Sequence, residues 1–452
     1  VRYNTLTVGN VAIGAGIIIY GASVSIHDNN ISFNEVIANS YGNGAGIYVQ
    51  NNAGEIEIRN NDIRENKIIS EEWARGGGIA LWQPPNKVNI IANTIEGNTI
   101  VGYDNRGSGI WIRYPGGNMN ITGNLIKDNT GPKASINSAA GGGICIMDAS
   151  GEVRIDKNIF KGNEIYNGGG LYFRNSINTV VTNNVFDGNK SLYGGGISYF
   201  NPSDKSYGLS AITQPWPVFA NNTLVNNEAQ IFGGGLYYYT NIVTPILFNS
   251  IVRDNTAGTG NDIYSLTGAE YLVEYCNINT DDLIGNWMGG NNINASPAFI
   301  DDSCHLAPYC ICVEAGTPSV SYNGIEYNCP DHDIDGELRP LNGTADIGVD
   351  EVLLTGIFES GFCSEKHQLV SYPNPFIDQT TIEFTLNAPG LATLTISDVR
   401  GKILQTLLSE NLPQGKHQIN WDAKGLDDGI YFIKLNTNNE TTTHKVIHLN
   451  VE

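Results

Sequence analysis

The feature that most constrains the fold is a glycine-rich motif that recurs along the first 260 residues. In each copy, glycines at the first and third positions precede an aliphatic residue. The eight copies begin at Gly14, Gly44, Gly76, Gly107, Gly141, Gly168, Gly194 and Gly233, and a decayed ninth copy is Gly258-Thr259-Gly260. The third residues of successive copies are 25 to 39 residues apart. Repeats of this length indicate a solenoid or a propeller.

A second recurring unit lies between the glycine motifs. It has an apolar-x-apolar pair followed by Asn-x-apolar-x-x-Asn, as in Ile56, Ile58, Asn61, Ile63 and Asn66. Apolar residues at every second position predict short strands, and the intervening Asn or Gly predicts tight turns. Each repeat therefore holds about three short strands and no helix, whereas a propeller blade needs longer strands with hairpin signals. The sequence predicts an all-β parallel β-helix over residues 1–275.

The repeated Asn and Gly have a structural explanation. Asn side chains stacked at one corner of successive coils donate to one neighbour and accept from the other, which satisfies buried amides in a ladder. The glycines suit a corner that needs positive φ or a close approach of two backbones. Neither motif requires a catalytic role.

The repeats resemble a known group of proteins. Gly-Gly-x-Ile together with Phe-x-x-Asn, at Phe160 to Asn163 and Phe186 to Asn189, is similar to the tandem motifs of polymorphic outer-membrane proteins and related adhesins. These are right-handed parallel β-helix proteins of bacterial surfaces. The resemblance covers residues 1–275 and implies the fold, but pectate-lyase-like enzymes share this scaffold.

The period is lost after Cys276. Residues 276–351 resemble the choice-of-anchor Q segment of bacterial β-helices through Asp335-Gly336-Glu337-Leu338-Arg339-Pro340 and Asp346-Ile347-Gly348-Val349-Asp350-Glu351. Tyr309 to Glu314 depart from the usual Ser-Pro-x-Ile-Asp of that segment. Because a solenoid needs a cover over its last apolar layer, we expect this segment to cap the end. A linker is expected at 352–367.

Residues 368–452 begin a different pattern. Their short alternating strands predict a small β-sandwich. Three ordered motifs resemble the type A sorting domain of type IX secretion in Bacteroidota, and their residues are Pro373, Asn374, Pro375, Asp398, Gly401, Gly429 and Tyr431. The resemblance implies handling by the type IX secretion machinery. It also implies export through the periplasm to the outer-membrane surface or the extracellular space.

Charge excludes two classes of partner. The 25 Lys and Arg against 46 Asp and Glu leave a net charge of −21, which repels nucleic acid and anionic lipid headgroups. No uninterrupted apolar run reaches the roughly 18 residues of a membrane span.

Seven Cys suit an oxidising exterior, and Cys304, Cys310, Cys312 and Cys329 cluster in the capping segment. Disulfides and a zinc site are alternatives there, although the Cys spacing is not typical of zinc.

Catalytic motifs are absent from the sequence. Hydrolases on this scaffold need clustered carboxylates, and lyases need Ca²⁺ with an Arg or Lys base, but no such cluster stands out. We therefore identify no catalytic residue and favour a binding protein or adhesin. The alternative is a polysaccharide lyase or glycoside hydrolase of the pectate-lyase-like type.

One candidate ligand-binding surface follows from the repeat. In the strand after each glycine motif the first and third residues point inward, so the second and fourth point outward. The outward positions predict an exposed stripe comprising Tyr20, Tyr48, Trp82, Trp111, Arg113, Tyr172, Arg174, Tyr237 and Tyr239. Aromatic faces stack on sugars, which suits a polysaccharide or a cell-surface ligand. Packing of like residues between coils is the alternative.

A candidate metal site lies in the capping segment. Asp331, Asp333 and Asp335 alternate before Gly336, as in the first half of a calcium-binding loop. The twelfth position is Asn342 and not the usual Glu. Bound Ca²⁺ and a solvated turn are the two interpretations, and no other cofactor is indicated.

Overall fold

The computed structural model describes residues 1–21, 23–50, 54–132, 139–201, 217–240, 243–266, 270–341, 343–353, 369–386, 389–437 and 441–449. These residues form β-strands and one short 3-10 turn at Thr280–Asp282. No helix in the described ranges has the length and apolar character to cross a membrane. The chain divides into two compact units, residues 1–354 and 355–452.

Three long parallel sheets run the length of the first unit. The glycine sheet follows the glycine motifs and contains Ile17–Tyr20, Ile47–Gln50, Ile79–Trp82, Ile110–Arg113, Ile144–Met147, Leu171–Arg174, Ile197–Asn201, Leu236–Thr240, Ile263–Ser265 and Leu283–Ile284. The middle sheet contains Val24–His27, Ile56–Arg59, Val88–Ile91, Met119–Thr122, Val153–Asp156, Thr179–Thr182, Val218–Ala220, Ile246–Phe248, Glu270–Glu274 and Asn286–Met288. The asparagine sheet contains Asn30–Ser32, Asp62–Arg64, Thr94–Glu96, Leu125–Lys127, Ile159–Lys161, Val185–Asp187, Thr223–Val225, Ile251–Arg253 and Asn277–Ile278.

Shorter parallel sheets complete the coils. One contains Thr5–Val8, Glu35–Ala38, Lys67–Ser70 and Thr99–Val101, and another contains Lys190–Tyr193, Glu228–Phe232 and Thr256–Thr259. The strands that directly precede the first four glycine motifs, here called the corner strands, are Val11–Ile13, Tyr41–Asn43, Trp73–Arg75 and Asp104–Arg106. The predicted parallel β-helix is thus confirmed.

The register places the predicted inward residues in the core. Ile79 pairs with Ile110 and Leu81 pairs with Ile112, so first and third positions align from coil to coil. All four side chains are fully buried in one continuous apolar cluster that runs through the solenoid. Stacking of identical positions is therefore what stabilises the rod, because each coil alone leaves its apolar side chains uncovered.

The glycine motif has two separate structural functions. Gly107 has φ of +63°, and a Cβ on it would lie 2.1 Å from the Ile110 carbonyl oxygen, so the first glycine permits a sharp bend. A Cβ on Gly109 would lie 2.5 Å from the Gly143 carbonyl oxygen, so the third permits close stacking of the next coil. Parallel strand pairing continues to Met288, past the expected boundary at residue 275, and a parallel bridge then joins Asn277 to Ile293.

Two asparagine ladders confirm the stacked-amide prediction. In both ladders the side-chain amide of one Asn donates to Oδ1 of the Asn in the next coil. One ladder contains Asn34, Asn66, Asn98, Asn129, Asn163, Asn189, Asn227 and Asn255. The other contains Asn29, Asn61, Asn93, Asn124, Asn158, Asn184 and Asn222. Both flank the asparagine sheet and satisfy polar groups inside the protein.

The later part of the capping segment lies along the side of the last coils, whereas Leu283 and Trp287 in its first part pack against the main core at the last coil. Three Asn side chains of successive coils reach it: Asn183 donates to the His332 carbonyl, Asn221 to that of Asp346 and Asn249 to that of Thr317. Two apolar clusters join it to the flank of the solenoid. It contains one hairpin, Ser319–Tyr322 with Ile325–Asn328.

A buried ion pair explains two residues of the capping motif. The Arg339 guanidinium donates to the Glu351 carboxylate at 2.9 Å, and the two side chains are 0% and 2% exposed. Arg339 also donates to Asn183 Oδ1 at 2.7 Å. The pair therefore joins both halves of the capping motif to the solenoid flank.

The structure describes six cysteines, all buried, and no disulfide joins any two of them. Cys304, Cys310 and Cys312 pack in one apolar cluster and Cys329 in another, which separates Cys329 from the others. None of the candidate metal-binding groups within the described ranges contains a cysteine. Cys363 lies outside the described residues.

The second unit is the predicted small β-sandwich. Its three-stranded sheet contains Leu369–Tyr372, Gln379–Leu386 and Gly415–Asp422, and its four-stranded sheet contains Gly390–Ser397, Ile403–Leu412, Gly429–Asn436 and Thr441–His448. All strand pairs are antiparallel. A separate apolar core around Trp421 holds the two sheets together.

Candidate functional site

The glycine bends create a concave outer corner on the solenoid. Each bend follows a corner strand and places its first glycine against the second residue of the following glycine-sheet strand. A Cβ on Gly107, for example, would lie 2.8 Å from Cα of Trp111. The outer corner therefore comprises the outward residues of the glycine sheet and the last residues of the strands before it.

The second-position members of the predicted stripe are not exposed. Tyr48, Trp111, Tyr172 and Tyr237 are only 4%, 1%, 4% and 6% exposed. They do point away from the main core, and the first three pack in a separate apolar cluster. Side chains of the corner cover them, and burial raises the pKa of both Tyr48 and Tyr172 to about 12. The expectation of exposed faces at these four positions is wrong.

The fourth-position members remain accessible. Tyr20 is 58% exposed, and Trp82, Arg113, Arg174 and Tyr239 are half-buried. Strand pairing places them in one column, with Gln50, Met147 and Phe200 between them. We call these eight side chains the outer column. Five of them belong to the predicted stripe, and all except Met147, which is 3% exposed, are accessible to a large ligand.

Aromatic rings and guanidinium groups stack on one another across the corner. The Arg75 guanidinium lies 4.4 Å from the Trp73 ring and 5.1 Å from the Trp111 ring. Trp111 stacks on Trp82 with ring centroids 5.5 Å apart. The Arg113 guanidinium lies 5.6 Å from the Trp82 ring. Cation–π contacts of this kind fix the orientation of the charged groups.

A pocket of about 190 Å³ opens in this stack, and we call it the arginine pocket. Its lining residues are Trp73, Arg75, Asp104, Arg106, Trp111, Arg113, Met147 and Arg174. Asp104 lies 3.0 Å from the Arg106 guanidinium and 3.9 Å from that of Arg75. Burial lowers the pKa of Arg75 to about 10, because desolvation disfavours the charged form.

The sequence predicted Trp111, Arg113 and Arg174 of this pocket as binding residues. It did not indicate Trp73, Arg75, Asp104, Arg106 or Met147. A signal for Arg75 and Arg106 was present, because each immediately precedes a glycine motif, and those motifs are in consecutive coils. The structure pairs them in register. Trp73 gave no such signal, since its place beside the pocket depends on the bend.

The outer corner is aromatic in the later coils. Phe232 stacks on Tyr264 with ring centroids 4.1 Å apart, and Tyr237 lies 5.5 Å from Tyr193. Tyr239 stacks on Phe200 at 4.6 Å. Ladder packing therefore accounts for many of the rings, while their outer edges stay accessible at Phe200 and Tyr239.

The three aspartates of the predicted calcium loop do not converge. Asp333 is buried, and its carboxylate accepts backbone N–H bonds from Asp335, Gly336, Glu337 and Glu351. Two groups of side chains lie close enough together to bind one metal ion. One group is His305, Asp335 and Asp350, and the other is Asp333, Asp335 and Glu337. Asp331 therefore lies outside both groups, whereas Asp333 and Asp335 come together with Glu337, and Asp333 also caps a turn.

Two carboxyl groups have strongly raised pKa values, but neither is placed for catalysis on a polymer. Burial raises the pKa of Asp262 to about 7, and that of Asp346 to about 7. Both residues are 2% exposed. Asp262 accepts a hydrogen bond from Asn255 at the end of an asparagine ladder, so its role is structural.

The sorting-motif residues form turns and contacts within the β-sandwich. Asn374 binds the last strand through the backbone N–H of Ile447 and the carbonyl of Lys445. Asp398 accepts backbone N–H bonds from Arg400 and Lys402 around Gly401, which has φ of +79°. The remaining motif residues are Pro373 and Pro375, which flank Asn374, and Gly429 and Tyr431 in the strand Gly429–Asn436.

Comparisons with known proteins match both units. The family described as right handed beta helix region matches residues 7–260. The family described as secretion system C-terminal sorting domain matches residues 370–449. A search of curated proteins finds no match.

Proposed function

Because the chain belongs to the right-handed β-helix family and carries a C-terminal secretion sorting domain, we propose that it is a secreted protein that binds extracellular polysaccharide along its outer column. The sorting domain indicates export by type IX secretion to the cell surface or the extracellular space. Handling by the secretion machinery follows from that domain. Beyond export, we propose polysaccharide as the ligand and an adhesive role on a surface.

The accessibility of the outer column is the observation that supports this function. Six of its eight members present a ring or a guanidinium group at one position of successive glycine-sheet strands, from Tyr20 to Tyr239. Stacked strands are about 4.8 Å apart, so the column is roughly 34 Å long. A surface of that length matches an extended polymer better than a small molecule.

The chemistry of the column suits sugars. Aromatic faces pack on the apolar C–H surface of a sugar ring. The Arg113 and Arg174 guanidiniums carry several N–H donors for hydroxyl or carboxylate oxygens. Arg113 is already oriented by a 2.7 Å hydrogen bond to the Tyr114 hydroxyl and by an ion pair with Asp148. A ligand would therefore meet donors that lose little freedom on binding.

A glycan array followed by calorimetry tests the proposal. We expect the purified chain to bind at least one polysaccharide, and Trp82→Ala to weaken that binding about five- to tenfold, as expected for one aromatic contact. Tyr3→Ala is the control, since Tyr3 is an exposed ring that stacks on Phe33 away from the column. Failure of the wild-type chain to bind any glycan would refute the function.

A further inference from the structure

We propose that the arginine pocket binds the carboxylate or sulfate group of an acidic polysaccharide. This inference rests on the proposed function and names the ligand class for it. The pocket lies in the same coils as Trp82 and Arg113 of the outer column, so one polymer can contact both.

The charge of the pocket is opposite to that of the chain. Arg75, Arg106, Arg113 and Arg174 line one small space, and the carboxylates paired with them in the described residues are Asp104 and Asp148. The four cations and two anions leave a net charge of about +2, whereas the whole chain carries −21. Like charges so close together repel one another, and a bound anion would relieve that repulsion.

Unpartnered donors are the second observation. Nε of Arg75, Nε of Arg174 and Nε1 of Trp111 are buried without a hydrogen-bond partner within the described part of the chain. Arg75 is 8% exposed and Trp111 is 1% exposed, so these atoms are shielded from bulk solvent. Buried donors are rarely left unpaired, and an oxyanion supplies several acceptor atoms in a small volume.

The shape of the pocket favours a substituent of a larger molecule. Its 190 Å³ greatly exceeds the roughly 30 Å³ of one water molecule and accommodates a carboxylate or sulfate group. Trp73 is 36% exposed and lines the pocket, which offers a ring surface to the attached sugar. A neutral sugar would leave the charge of the arginines unbalanced, so the pocket discriminates in favour of acidic polymers.

Calorimetric titration with three polymers of matched length tests this inference. The probes are hyaluronan fragments, which carry carboxylates, dextran sulfate, which carries sulfates, and neutral dextran. We expect at least one acidic polymer to bind at least tenfold more tightly than neutral dextran. Its affinity should fall as NaCl rises, because salt screens the arginines. The acidic probe that binds more tightly identifies the preferred oxyanion.

Arg174→Gln is the decisive variant. Arg174 makes no ion pair in the described ranges and is half-buried, so the change leaves no carboxylate unpaired and should keep the melting temperature. We expect it to weaken acidic-polymer binding at least tenfold. The matched control is Arg59→Gln, which removes the same charge from the middle sheet, where Arg59 pairs with Glu57 at 2.8 Å.

The possible failures can be told apart. Equal binding of acidic and neutral polymers, or an Arg174→Gln variant with wild-type affinity, would overturn the anion site. If Trp82→Ala still weakened binding in that case, the polysaccharide-binding function would stand. Absence of binding to all polymers, including the glycan array, would overturn both.

Discussion

Replacing Asn124 by Leu tests whether the asparagine ladders hold the coils together. Oδ1 of Asn124 accepts two hydrogen bonds from Asn93, at 2.8 Å from the backbone N and 3.0 Å from Nδ2. Its own Nδ2 donates to the Ile90 carbonyl at 2.9 Å and to Asn158 Oδ1 at 2.9 Å. The side chain is 1% exposed, so water does not replace these bonds.

The expected cost follows from the groups that lose their partners. Nδ2 of Asn93 keeps the Ile58 carbonyl at 2.8 Å, and Asn158 Oδ1 keeps the backbone N–H of Asn124 at 2.9 Å. The backbone N–H of Asn93 loses its acceptor, which costs about 1–3 kcal/mol. The larger leucine adds about 1–3 kcal/mol of overpacking. We therefore expect the free energy of unfolding to fall by about 2–6 kcal/mol.

Two measurements check this expectation. Urea denaturation followed by circular dichroism gives the loss of stability, and hydrogen exchange of residues 88–98 shows whether the Asn93 N–H becomes less protected. Asn120→Leu is the control, because Asn120 is half-buried on the outward side of the middle sheet in the same coil. If both variants had equal stability and equal exchange, the ladder would contribute nothing and the reasoning would be refuted.

Three further outcomes are expected. Trp111→Ala should destabilise the solenoid by about 3–5 kcal/mol in urea denaturation, because the ring is buried in the outer corner, and a neutral result would mean that the corner is open. Asp262→Asn should raise the denaturation midpoint at pH 8 more than at pH 5. Burial raises the folded-state pKa of Asp262 to about 7 from 3.8, so the wild type loses stability as pH rises through that range, and a pH-independent difference would contradict this. Deleting residues 368–452 should leave the solenoid folded but retained in the periplasm, as cell fractionation would show, whereas surface display at wild-type level would contradict the sorting role.

The repeat pattern was sufficient to predict the coil architecture and the main core. Ile79, Leu81, Ile110 and Ile112 were placed inward correctly, because alternation along a strand depends only on local backbone geometry. The ladder containing Asn124 was predictable for a related reason. Stacking at a constant period puts equivalent positions of successive repeats next to each other, so a buried Asn amide lies beside the equivalent Asn amide of the next coil.

Burial in the outer corner depended on the angle of the glycine bends, which residue types alone do not specify. Trp111 points outward as predicted, yet Arg75 folds over it from a strand on the other side of the bend. The same bend brings Arg106 and Arg174, 68 residues apart in sequence, into one pocket. The position of the capping segment could likewise not be predicted from the sequence, since Asn183 donates to the His332 carbonyl across 149 residues of chain. Short-range periodicity determines which side of a strand a residue occupies, but only packing between distant segments determines what covers that side.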